Sequence, residues 1–433
     1  MSRKFAYALA ASTLAIAAVP AHASSFNLHD QSAKGEGRAF AGGAAAADDP
    51  STVYFNPAGM TELGKAAISV NSQFIFVHSS QQNENTTLQY PGVPVAVPVQ
   101  GDNGGQPFAQ PVVVPTGFAV GRVGDSPVWL GLGITVPFGF KATYDSNFFG
   151  RYDSLNSDLK AIDVQPSIAV KLNDHFSIGG GIDIQQINVT LDSALPNLVP
   201  GAPDGLAHVK GNDLSVGWNL GATATFGAVR LGAHYRSGIK HHLGGAYDIS
   251  GLLGPLAGAN GSYYATAPLD LPGIATVSAM YGVGKPFRLM LTGKYYNWST
   301  FKDIAINPIG AAPTVSPQNY RDTFSVAAGA EYDLSNKLTL RTGTMYDETP
   351  TVDAYRTTRV PDGNRIWASA GMTYNLSKKF SFNLSYAHIF VGKEPLDRTD
   401  VLYQGTPAQT ISTVRSTNTG NADIIATSLT WHI

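Results

Sequence analysis

"KFSFNLSYAHIF", Lys379 to Phe390, alternates without a slip. Phe380, Phe382, Leu384 and Tyr386 share one parity; Ser381, Asn383, Ser385 and Ala387 share the other. Successive side chains of a strand point to opposite faces. The segment therefore predicts a strand with one oily, aromatic face and one small, polar face. "RDTFSVAAGAEYDL" repeats the pattern, with Phe324, Val326 and Tyr332 outward and Ser325 and Glu331 inward. So does "GNDLSVGWNLGATATF", where Leu214, Val216, Trp218 and Leu220 oppose Ser215, Asn219 and Thr223.

A soluble sandwich also alternates, but its strands average about 5–6 residues, whereas membrane strands need about 9–11. These runs are at the long end. The connections decide between the two. Short turns at "GDSP" (Gly124), "NDH" (Asn173), "FGA" (Phe226), "GKP" (Gly284), "LSNK" (Leu334) and "LSKK" (Leu376) alternate with long polar loops. Outer-membrane barrels have this asymmetry, with short periplasmic turns and long extracellular loops. The expected fold is all-β: a transmembrane antiparallel β-barrel of about 14 strands, an even number as bacterial barrels require.

Composition agrees. Only 14% of the 433 residues are charged, against roughly 25% in soluble proteins. There are 46 Gly, 19 Tyr and 20 Phe, and mean hydropathy is −0.03. Past the first two dozen residues no apolar run approaches the ~18 of a membrane helix. A net charge of −2 gives no reason to expect nucleic acid. The chain has no cysteine, which excludes disulfide scaffolds, thiol catalysis and Cys-based zinc sites.

"MSRKFAYALAASTLAIAAVPAHA" has a basic start at Arg3 and Lys4, an apolar middle, and an Ala-x-Ala end at Ala21 and Ala23. It reads as a secretory signal peptide over 1–23, cleaved after Ala23. Residues 24–64 do not alternate. "GRAFAGGAAAADDP" supports at most a short, small-faced helix ending before Pro50. Inside a barrel too wide to be filled by its own side chains, such a segment makes a compact plug. Residues 24–64 are thus expected to form a hatch and 65–433 the barrel.

"GRAFAGGAAAADDPSTVYFNPAGMT", "ITVPFGFKATY" followed by "GRY", "PSIAVKLNDHFSIGGGI", "HYRSGIK", "YYNWSTF" and "RTGTMYDETP…VPDGNRIWASAGMTYNLS" occur in that order. Together they resemble the FadL family of outer-membrane transporters of long-chain fatty acids and, in some branches, aromatic hydrocarbons. The resemblance covers nearly all of the chain after the signal peptide. It implies a 14-stranded barrel plugged by an N-terminal hatch. Substrates would be caught at an extracellular groove, pass to an internal pocket, and leave sideways through a wall gap beside a kinked third strand, without an energy source. One departure is the C-terminus, "LTWHI", where barrels usually end in Phe; Leu429, Trp431 and Ile433 keep the parity.

On the third strand, Val128, Leu130, Leu132, Ile134, Val136 and Phe138 are expected to face lipid, and Pro137 and Gly139 the lumen. Proline cannot donate to a ladder and is confined to edges and bulges, so Pro137 and Gly139 mark the kink. Asn56, Pro57, Ala58 and Gly59 are expected to form a rigid turn of the hatch that gates the gap. A fatty acid needs a cation for its carboxylate, and Arg is well suited to a bidentate contact. Arg230, His234, Arg236 and Lys240 share one parity; Lys294, Arg321, Arg341 and Arg365 fall on or near inward positions. Arg321, Arg341 and Arg365 rank first, then Arg236 and Lys294. Asp163, Asp183, Asp322 and Glu331 are their possible structural partners.

Asp48 and Asp49 read as a helix-ending turn, and the adjacent His241 and His242 point to opposite faces, so neither group suggests a metal. No hydrolase, zinc-protease or phosphate-loop motif is present. A diffusion porin would leave an aqueous lumen, against the hatch; a rim enzyme lacks a nucleophile and base; an energised transporter would carry a larger plug domain. The reading is an outer-membrane, non-enzymatic, cofactor-free channel for a hydrophobic small molecule. Hydrocarbons would need only an apolar pocket, and the sequence leaves the choice open. "NTTLQYPGVPVAVPVQ", around Tyr90, is an apolar loop suited to capture. Other expected partners are outer-membrane lipids, lipopolysaccharide and the barrel-assembly machinery, with a monomer as the working unit.

Overall fold

The computed structural model describes residues 25–109, 111–199 and 201–433; the signal peptide expected over 1–23 lies outside them. The described residues form a closed antiparallel barrel of 14 strands. The first half comprises β1 (Ala66–Asn83), β2 (Val112–Arg122), β3 (Val128–Thr143), β4 (Asn156–Lys171), β5 (Phe176–Leu195) and β6 (Gly205–Phe226). Next come β7, in two stretches (Val229–Arg236 and Ile239–Ser250), β8, also in two (Gly261–Leu271 and Ile274–Tyr281), and β9 (Phe287–Tyr296). The rest are β10 (Thr323–Asp333), β11 (Leu338–Asp347), β12 (Arg365–Asn375), β13 (Phe380–Val391) and β14 (Thr410–His432). β1 closes the cylinder, pairing with β14 from Ala67↔His432 to Asn83↔Ser416 and with β2 from Ala66↔Gly121 to Ile75↔Val112.

The alternation maps onto the wall as the sequence suggests. On β13, Tyr386 and Phe390 are exposed to the surroundings while Ser381, Asn383, Ser385 and Ala387 are buried inside. The short turns join the strands at one end, which the outer-membrane orientation makes periplasmic.

Two bulges overturn parts of the parity reading. On β3, Val136 and Pro137 together oppose Ile162, between the pairs Thr135↔Asp163 and Phe138↔Ala161. An extra residue inverts the facing of everything beyond it. Val136 and Phe138, expected to face lipid, are instead buried inside at 3% and 4% exposure, while Gly139 pairs with outward-facing Lys160. A second shift lies at Ser237–Gly238, between Asn219↔Arg236 and Asn212↔Gly244. It leaves Arg230, His234 and Arg236 inside but turns Lys240 outward, contrary to the shared face expected for the four.

The hatch also differs from expectation. Its helices are single turns, α1 (Ala33–Glu36) and α2 (Thr52–Phe55), followed by a 3₁₀ turn at Pro57–Glu62. The Ala/Gly run between them is a string of turns with left-handed backbone at Ala39 (φ 49°), Phe40 (59°), Gly42 (75°) and Ala47 (48°). Such conformations persist only where packing over-determines them. Phe40 does so, 1% exposed, stacked on His29 at 5.9 Å and edge-on to Trp367 at 6.2 Å. The wall leaves room for the plug by omitting side chains. A Cβ at Gly232 would sit on the Ala44 carbonyl oxygen, and one at Gly221 on Asn56 Oδ1.

Candidate functional site

The barrel wall is interrupted between β2 and β3. The two strands pair only from Arg122↔Trp129 to Gly117↔Ile134. Beyond that level β2 stays with β1, while β3 stays with β4 as far as Thr143↔Asn156. The free edge of β3 must find other partners for its backbone. They come from the hatch. Leu28 N–H donates to the Pro137 carbonyl (2.8 Å), and Gly139 N–H donates to the Phe26 carbonyl (2.9 Å). Asn27 pairs with Phe138 as an isolated antiparallel bridge. The Gln31 side chain completes the edge, donating to the Val136 carbonyl (2.8 Å) and accepting from Val136 N–H (3.1 Å). Residues 26–31 thus take the place of a neighbouring strand along this edge of β3.

Phe26 belongs to this segment and also to the wall of an apolar pocket of about 880 Å³, counting its mouth. The pocket is built from the extracellular halves of β4 to β8 (Leu159, Val189, Leu243, Leu269) and closed by Phe301 and Tyr320. Phe26 packs edge-on against Trp298 (4.9 Å) and Phe301 (5.6 Å). One strongly polar group reaches the pocket from a loop: Arg359, between β11 and β12. Its guanidinium donates to the Asn156 carbonyl (3.0 Å), Ser157 Oγ (2.7 Å) and the Asp153 carbonyl (2.7 Å). Among the described residues no carboxylate lies within 4.0 Å of it, so its direct partners are dipoles, while Asp153 and Asp192 attract its charge from farther off. Parity does not nominate Arg359, because loops carry no period; it lies immediately before "VPDGNR", outside the family-like text itself.

The cations ranked from the sequence are dispersed. Arg321 is at the rim, its side chain 49% exposed, paired with Glu348 at 3.0 Å. Arg341 lies beneath the hatch, bound to Glu331 (3.1 Å) and Thr373 Oγ1 (2.6 Å). Arg365 is buried between Asp362, at bonding distance, and Asp347 at 3.7 Å. Arg236 is held by Asp163 and Asp183 and stacks over Tyr54 at 4.3 Å. Lys294 reaches inward to His29, Nζ to Nδ1 3.0 Å. None of the five lines the apolar pocket.

The Asn-Pro-Ala turn is not at the β2–β3 break but a few strands along the wall, against β5 and β6. Asn56 donates to the carbonyls of Ala44 (2.7 Å) and Ala222 (3.1 Å) and caps Ala58 N–H (3.1 Å). It fixes the hatch to β6, with Pro57 and Ala58 against Gly179 of β5.

Charges inside the hatch are perturbed by burial. His29 falls to about 4, through burial first and the neighbouring Lys294 second, with Asp347 opposing. Asp30 and Glu36 are fully buried together. Burial raises Asp30 to about 6; burial and the Asp30 charge push Glu36 well above the carboxylate range. Burial pushes Asp48 up as well, but Arg38 and Lys34 outweigh it and hold the carboxyl well below its usual value. Asp48 opens onto a periplasmic vestibule, also about 880 Å³, with Lys34, Arg288, Glu331, Asp333 and Arg341 around it. The hatch therefore separates an apolar chamber above from an ionic one below.

A family model described as outer membrane protein transport protein (OMPP1/FadL/TodX) matches residues 14–432. A 47 kDa outer membrane protein of Pasteurella multocida is 30% identical across 89% of this chain and 92% of its own. A long-chain fatty acid transport protein of Escherichia coli is 27% identical across 90% of this chain and 92% of its own. Among solved structures, a Pseudomonas aeruginosa FadL homologue superposes with a TM-score of 0.82 at 26% identity, covering 94% of this chain and 99% of that one. The monoaromatic hydrocarbon channel CymD shares the fold, with a TM-score of 0.67 at 18% identity over 94% of this chain and 99% of that one.

Proposed function

This chain belongs to the outer membrane protein transport family (OMPP1/FadL/TodX), whose members are outer-membrane transporters of hydrophobic compounds, and from that premise we propose that it carries long-chain fatty acids and releases them sideways into the membrane. The observation that carries this reading is the β2–β3 break capped by Phe26–Gln31, with Phe26 lining the pocket as well. A substrate that displaces Phe26 also loosens the segment that covers the break. Val93, Val95 and Val97, exposed at 40%, 69% and 41%, supply an extracellular surface for capture. Arg359 favours an acid over a hydrocarbon, since a guanidinium beside an apolar pocket is matched by a carboxylate. The fatty acid transport relative in Escherichia coli supports the same choice.

Straight passage downward is opposed by the vestibule. Burying a methylene is worth about 0.8 kcal/mol, so moving ten of them into an ionic chamber costs on the order of 8 kcal/mol. The break in the wall leads to lipid instead.

The test is uptake by cells lacking their own fatty acid transporter and supplied with labelled oleate or labelled toluene. Oleate uptake that requires this protein and falls at least tenfold in Arg359→Gln is expected. Toluene uptake without oleate would assign the hydrocarbon substrate and leave Arg359 as a loop brace.

A further inference from the structure

Below the apolar pocket, a second, much smaller space lies between the hatch and the wall of β7 to β9. His29 enters it from the hatch, His234 and Arg236 from β7, and Lys294 from β9. No Asp or Glu lines it. Arg236 is neutralised on its far side by Asp163 and Asp183. Lys294 has no direct ion pair: among the described residues no carboxylate oxygen lies within 4.0 Å of Nζ, which contacts His29 Nδ1, and Asp347 and Asp30 act on it only from farther off. Asp347, with Arg365 beside it, stands on the other side of the His29 ring, 3.4 Å from Nε2. His234 is 7% exposed, and its Nε2 has no hydrogen-bond partner among the described residues. A buried ammonium without a direct ion pair and an imidazole nitrogen without a hydrogen bond are costly to keep, and an anion answers both when His234 carries its proton on Nε2.

We propose that this space is a second carboxylate site, in which Lys294 and His234 take the headgroup of the transported acid. The inference rests on the fatty acid reading above and adds a station to it. Ile274 and Tyr296 line the space and also pack with Phe26 and Trp298, so the site is continuous with the base of the pocket. A headgroup on Lys294 competes with His29 for Nζ. His29 follows Asn27 and Leu28, the residues that cover β3, so occupation of the site loosens this segment from beneath.

The experiment titrates the purified barrel in detergent with oleate carrying carbon-13 at its carboxyl, and counts bound carboxylate resonances. Two are expected. One disappears in Arg359→Gln; the other disappears in Lys294→Gln, weakens in His234→Asn, and returns in Lys294→Arg. Heat-modifiable gel migration identifies folded barrels, so an unfolded variant is not scored. Oleyl alcohol should bind equally to the wild type and Lys294→Gln; an equal loss of alcohol and acid would overturn the carboxylate contact. A single resonance, removed by Arg359→Gln and untouched by Lys294→Gln, would overturn the second site and leave the fatty acid reading standing. No bound oleate in the wild type would remove both.

Discussion

Gln31 does for β3 what a neighbouring strand would do, meeting both backbone groups of Val136 with one amide. Gln31→Ala would leave a buried donor and acceptor unmet, at about 1–3 kcal/mol. The expected result is exchange of the Val136 amide accelerated by roughly tenfold or more, read by hydrogen-exchange mass spectrometry. The hatch acids make a separate prediction. Asp30 and Glu36 bind protons more tightly in the seated hatch than outside it, so their contribution to seating is lost as pH rises from about 4 through their raised values. His29 acts oppositely: lowered from 6.5 to about 4, it adds stability as pH rises across that interval. Above about 6.5 the His29 contribution is constant while that of the acid pair still changes. Protection of residues 25–40, corrected for intrinsic exchange, should therefore fall on the alkaline side, and the fall should vanish in Glu36→Gln.

The strands were legible because a membrane strand displays both of its environments in its own alternation, as β13 does from Phe380 to Phe390. Turn lengths then gave the orientation. What alternation cannot show is an inserted residue, because a bulge is defined against a partner strand. That is why Phe138 and Lys240 were assigned to the wrong faces, one beyond Val136–Pro137 and the other beyond Ser237–Gly238. Pro137 lies within the register shift between Thr135 and Phe138, consistent with a residue whose missing N–H cannot serve a continuous ladder. The candidate cations were read from parity, which finds lumen arginines but cannot separate those neutralised by Asp183 or Glu331 from a loop residue such as Arg359. The hatch was legible as small residues, whereas its seat was not, because the glycines that receive it are on distant strands. Gly232→Val should drive the Ala44 carbonyl off β7 and unseat the plug. Planar-bilayer recordings should then show ion conductance well above that of the wild type.

Taken together, the barrel holds an oily chamber above the plug, an ionic one below, and a wall seam between β2 and β3, closed by a segment that belongs to the plug and not to the barrel strands. Hydrophobic cargo, an apolar pocket and a seam opening toward lipid are mutually consistent, and the ionic vestibule makes the downward path the unfavourable one. The absence of native cysteine allows the seam to be tested cleanly. Asn27 and Phe138 face each other as a non-hydrogen-bonded antiparallel pair, a separation compatible with a disulfide. Asn27→Cys with Phe138→Cys would bolt the plug segment to β3. Oleate uptake by cells carrying this variant should stop under oxidising conditions and recover on reduction, with each single variant active throughout. Undiminished uptake by the fully oxidised double variant would contradict release through the seam.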